Sequence, residues 1–123
     1  MATGTEVNQG SRDQQTFRVE LETPEGLRMI VCGDDEYVWD AAFNQGLLLP
    51  AICHQGRCLT CAGMLLSGTV YQGEANMYFP EDEAAGFVLL CRARARADLC
   101  IRTHQEWEMR AHRLAHGLPA PYS

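Results

Sequence analysis

Lysine is missing from this chain. All ten basic residues are arginine, set against sixteen acids for a net charge of −6. An acidic chain of this kind carries no broad basic footprint, and no nucleic-acid partner is expected. No apolar run approaches the roughly 18 residues that a membrane-spanning helix needs, so stable membrane insertion is not expected either. The opening MATGTEVNQGSRDQQ has no apolar signal-peptide core, which points away from secretion and towards the cytoplasm. Internal repeats are absent, as is any linker long enough to separate one domain from another. With 123 residues, 46% of them hydrophobic, the chain fits one domain with a modest core that a metal centre would staple.

Cysteine, by contrast, is plentiful. Six in a chain not expected to be secreted argue for a metal or redox site rather than a disulfide scaffold. Three of them, Cys53, Cys58 and Cys61, share the short segment CHQGRCLTC, and Cys91 follows in GFVLLC. The pattern C-x4-C-x2-C…C is the spacing that holds a [2Fe–2S] cluster on four thiolates. Four cysteines also suit tetrahedral zinc, but zinc sites usually come as two close C-x2-C pairs. Gly56, between the first two cysteines, lets the backbone curl so that N–H groups point at sulfur. Such donors, with solvent exposure, tune the potential. Cys32 and Cys100 are left over, either as a disulfide or as small buried apolar residues.

Along the chain, residues 1–14 read as a loose tail. Residues 16–23 alternate apolar and polar and read as a strand; Pro24-Glu25-Gly26 is a turn, and 27–32 completes a hairpin. Gly33-Asp34-Asp35 supplies turn and helix-capping chemistry. Residues 37–46 place Val38, Ala41, Ala42 and Phe43 on one helical face, with Gly46 as the stop. Residues 62–71 read as two short strands around Ser67-Gly68. Residues 72–85 read as loop with one helical turn in PEDEAA, 86–91 as a buried strand carrying Cys91, and 98–103 as a further strand. Helical spacing returns over 104–117, around Trp107 and Leu114. The sum is an α+β domain with a mixed sheet.

The residues EYVWDAAFNQGLLLPAICHQGRCLTCAG, then LSGTV, then EAAGFVLLCRARARADLCIRTHQE resemble the plant-type [2Fe–2S] ferredoxins, from about Thr16 to His104. The resemblance implies a β-grasp fold with one main helix, here followed by a C-terminal helical extension. The division is then a tail over 1–14, a cluster domain over 15–104 and an extension over 105–123. It implies that Cys53 and Cys58 bind the outer iron, with Cys61 and Cys91 on the other. It further implies a soluble, monomeric one-electron shuttle, not an enzyme. Its partners would be a ferredoxin reductase or photosystem I as donor and soluble acceptor enzymes. A redox sensor, or a ferredoxin dedicated to one oxygenase system, stands as the alternative.

Departures from the family mark this chain as a divergent member. Ile52 and His54 flank the first cysteine, and Leu59 replaces a small polar residue, removing a hydroxyl near the cluster. His54, Gly56, Arg57, Leu59 and Thr60 are therefore the candidates for tuning its potential. Met77 stands where the family carries a surface aromatic, with Tyr78 and Phe79 beside it. Of the paired C-terminal acids that dock reductases, Glu106 remains and Trp107 takes the second place. Residues 92–113 carry six arginines against three acids, a basic stretch able to orient partners. Met77, Tyr78, Phe79, Arg92, Arg94, Arg96, Glu106 and Trp107 are accordingly the candidates for docking.

Overall fold

The computed structural model describes residues 15–52, 54–55 and 58–121. Strand β1 (Thr16–Thr23) turns at Pro24-Glu25 into β2 (Gly26–Gly33), antiparallel over the full length of both. Period-2 burial follows from the alternation: Val19 and Leu21 are buried, while Arg18 is exposed and Glu20 and Glu22 are half-buried on the opposite face. Helix α1 (Val38–Asn44) buries Val38, Ala41 and Ala42 against that inner face and leaves Phe43 outside, stacked on Trp39. Neither Asp34 nor Asp35 caps it. Tyr37 holds the N-cap position without a side-chain capping bond, and Asp34 instead pairs with the backbone of Gln15. At the other end Gly46 adopts φ 90°. Its N–H donates to Phe43 O and that of Leu47 to Ala42 O, a Schellman stop that only glycine enters without strain.

The remaining elements are β3 (Ala62–Ser67), β4 (Val70–Tyr71), α2 (Pro80–Ala85), β5 (Phe87–Leu89), a 3₁₀ turn (Leu90–Arg92), β6 (Arg94–Ala95), β7 (Leu99–Arg102) and α3 (Glu106–Ala115). The main sheet runs β2-β1-β7-β3-β5; β1 and β7 are parallel and the other pairs antiparallel, so the sheet is mixed. β4 and β6 form a separate two-stranded ribbon. Each edge of the main sheet is closed by one glutamine amide. Gln45 bonds both backbone groups of Val31 on β2, and Gln72 both of Leu89 on β5. These side chains occupy the hydrogen bonds that another strand would use at those positions.

Two apolar clusters result. One lies between the sheet and α1. The other gathers Leu59, Cys61, Phe87, Leu89, Cys91 and Met109, so the C-terminal helix reaches the cysteine region through Met109. That helix buries Met109, Arg110 and Arg113 and leaves Trp107 and Leu114 about two-thirds exposed. The face that meets the domain is thus not the one marked by its large apolar residues.

Candidate metal centre

Cys61 stands directly before β3, and Cys91 lies within the 3₁₀ turn rather than on the strand that precedes it. Sheet pairing of β3 with β5 brings the two segments together, and Leu90 N–H donates to Cys61 O. The sulfurs stand 3.1 Å apart, both buried. That is well beyond the ~2.05 Å of a disulfide. The contact with Cys91, followed by burial, pushes the Cys61 thiol well above its ordinary range. Metal binding takes thiolates and releases their protons. Cys58 is buried beside them in sequence. Among the described residues no three His, Cys, Asp or Glu side chains form a common shell. Cys53, Gly56 and Arg57 lie outside the described residues.

Close packing behind the pair demands glycine at Gly63. A Cβ there would stand 2.9 Å from Ile101 Cγ2 and 3.2 Å from Arg102 O. Gly63 therefore serves the approach of β7 to β3. Leu59 is fully buried against Cys61, Cys91 and Met109, lining the inner side of the loop with apolar surface. Thr60 is half-buried and His54 exposed.

The cysteine segment is moored at three described points. Trp39 Nε1–H donates to Leu49 O at 2.8 Å, Arg92 Nε–H to His54 O at 3.1 Å, and Asn76 N–H to Gln55 O at 2.9 Å. The Trp39 ring and the His54 imidazole meet in a T-shaped pair with centroids 4.6 Å apart.

The arginines of the basic stretch turn to neighbours in their own chain. Arg94 pairs with Glu74 at 3.1 Å, Arg96 lies over Tyr71, and Arg102 pairs with Glu22. Arg110 bonds Glu106 and Ala120 O. Arg113, with no exposed surface, is clamped to the equally buried Asp82. Met77, Tyr78 and Phe79 are all half-buried: Tyr78 donates to Phe87 O, and Phe79 lies against Arg113. Among the docking candidates, Arg96 and Trp107 are the exposed ones. Cys32 is buried and Cys100 half-buried, and both are free thiols. Spacing alone did not indicate the Arg113–Asp82 clamp or the Tyr37–Glu74–Arg94 network, because their partners lie 20 or more residues apart.

Residues 22–96 match the family described as the 2Fe-2S iron-sulfur cluster binding domain. The chain is 41% identical over 96 residues to Ferredoxin-2 of a Synechococcus species, covering 78% of this chain and 91% of that one. It is 39% identical over 71 residues to the reductase component of propane 2-monooxygenase of Rhodococcus jostii, covering 56% of this chain but 19% of the reductase. Among solved structures it superposes on Pectocin M2 with a TM-score of 0.69 and 27% identity, over 83% of this chain and 41% of the other. The family match and the likeness to a free ferredoxin over most of both chains support the electron-carrier reading, and the sensor or dedicated oxygenase component is not favoured. No described helix is long and apolar enough to cross a membrane. When bound, a [2Fe–2S] cluster supplies one electron at low potential, roughly −400 mV in plant-type proteins. A mixed β-grasp sheet, two buried thiols brought into contact across it and the family match over the cysteine region agree: this chain belongs to the [2Fe–2S] ferredoxin family and is an electron carrier.

Proposed function

We propose that Cys53, Cys58, Cys61 and Cys91 hold the cluster, and that the protein passes single electrons from a reductase to soluble acceptor enzymes with no substrate of its own. Photosystem I is the alternative donor. The observation that carries the ligand set is the buried contact of Cys61 with Cys91, 30 residues apart in sequence. It supports these two as ligands of one iron, with Cys53 and Cys58 on the outer one. The domain spans 15–104, and the C-terminal helix and tail of 105–123 form an extension to it. Leu59, Thr60 and His54, with Gly56 and Arg57, set the polarity around the sulfurs. Docking falls to Trp107 and Glu106 on α3, to Met77, Tyr78 and Phe79 at the foot of α2, and to Arg92, Arg94 and Arg96. The carrier acts as a cytoplasmic monomer, its encounters brief and weakened by salt.

The test is reduction of the purified protein by NADPH through a ferredoxin reductase, followed in the visible spectrum, with reoxidation by an acceptor protein. Rapid, reversible one-electron exchange is expected. Serine at any of the four cysteines should abolish the spectrum of the assembled cluster. Tight, redox-dependent binding without turnover would contradict the carrier role.

A further inference from the structure

We propose that Arg92 raises the potential of the cluster by holding a guanidinium against the cysteine loop through its bond to the carbonyl of His54. The inference rests on the cluster reading above. Arg92 follows Cys91 directly in the 3₁₀ turn, so its backbone is fixed by the same turn that presents that thiol. Its Nε–H donates to His54 O at 3.1 Å, and His54 is next to Cys53. One side chain therefore joins the neighbours of the first and last cysteines of the pattern.

The far end of Arg92 is held as well. Its guanidinium lies 5.2 Å from the Tyr37 ring centroid and donates to Tyr37 Oη at 3.3 Å. Tyr37 also receives Arg94, at 4.6 Å from the centroid, and its phenol donates to Glu74. A ring face of this kind favours a cation. Arg94 takes the Glu74 carboxylate as its ion pair, and among the described residues Arg92 has no ion pair of its own. Its charge is felt nearby all the same. The bond from Tyr37, then Arg94, and more weakly the charge of Arg92 hold Glu74 below the usual carboxylate range.

His54 needs such a hold. It adopts φ 58°, a left-handed conformation that side chains disfavour. Arg92 grips its carbonyl while Trp39 meets its imidazole. Arg92 is thus a positioning residue with a charge. Reduction adds one electron, so a fixed cation held at the cysteine loop favours the reduced form and moves the potential up.

The test is a spectroelectrochemical titration of the full chain, purified anaerobically, as wild type, Arg92→Gln, Arg92→Lys and Glu74→Gln. Arg92→Gln should titrate below wild type and lose its visible absorbance to an iron chelator faster. Arg92→Lys, which keeps the charge, should stay near the wild-type potential. Glu74→Gln removes the opposing charge and should titrate above it. An Arg92→Gln potential equal to wild type, an Arg92→Lys potential as low as that of Arg92→Gln, or an unmoved Glu74→Gln would each overturn the proposal. Should Arg92→Gln purify without its cluster, the other two variants decide. A wild type lacking an iron–sulfur spectrum would instead overturn the cluster reading beneath it.

Discussion

Arg113 is the side chain whose loss should cost this fold most. It has no exposed surface, and its Nε lies 2.9 Å from both carboxylate oxygens of Asp82, also fully buried. Its remaining nitrogens donate to Met77 O at 2.9 Å and Pro119 O at 2.8 Å. Arg113→Met keeps much of the volume and removes the charge. Asp82 would keep one bond from Phe79 N–H, with His112 Nε2 3.1 Å from its other oxygen, but its buried charge would lose its guanidinium. Breaking one half of a buried pair costs about 3–5 kcal/mol. For a chain of this size that is a fall in the melting midpoint of roughly 10–20 °C. The double variant Asp82→Leu/Arg113→Met removes both charges and should recover most of the loss, because apolar pairs of similar volume often match buried ion pairs. Far-UV circular dichroism melts at a fixed scan rate, run anaerobically on the loaded protein, measure both. A single variant within about 1 kcal/mol of wild type, or a double variant no better than the single, would refute this reasoning.

Two other predictions concern stability. Burial, reinforced by Glu36, pushes the Cys32 thiol from its ordinary 9.0 up to about 12. The folded state then keeps a proton that the unfolded chain releases. This contribution is full below pH 9 and lost as pH rises towards 12, by up to about 4 kcal/mol over that window. Urea midpoints of wild type should fall more steeply above pH 9 than those of Cys32→Ala; parallel curves would refute the assignment. Gln72→Ala strands the buried N–H and C=O of Leu89 and should cost about 1–3 kcal/mol, whereas Gln45→Ala at the exposed opposite edge should cost less than about 1 kcal/mol. Equal losses in denaturant titrations would show that burial does not decide the worth of these two bonds.

The strand over residues 16–23 and the helix around Val38, Ala41 and Ala42 are legible because each is half-buried, so its apolar residues recur with the period of the element. GFVLLC offers no such period. Phe87 to Cys91 are all buried, and the change from strand to 3₁₀ turn at Leu90 leaves no mark in an unbroken apolar run. β6 is two residues of the alternating RARAR, defined by its pairing with β4 and by a bridge from Arg94 to Tyr37. The C-terminal helix is legible as a helix but not in its orientation. Trp107 and Leu114 advertise an apolar face, yet the helix buries Arg110 and Arg113, because Asp82 and the carbonyls of Met77, Pro119 and Ala120 arrive from elsewhere in the chain. At the metal centre the cysteine spacing carried the chemistry. The mooring of the loop by Trp39, Arg92 and Asn76 depends on contacts across 10 to 38 residues, which no local pattern encodes.

The central claim is that four sulfurs of this chain grip two irons. Iron and acid-labile sulfide should be counted on anaerobically reconstituted wild type and on each single Cys→Ser variant at 53, 58, 61 and 91, with EPR of the reduced samples. Two irons and two sulfides per wild-type chain, a reduced signal of one unpaired electron, and loss of that wild-type signal in each variant are expected. A colourless wild type, free of iron or carrying one zinc, would contradict it.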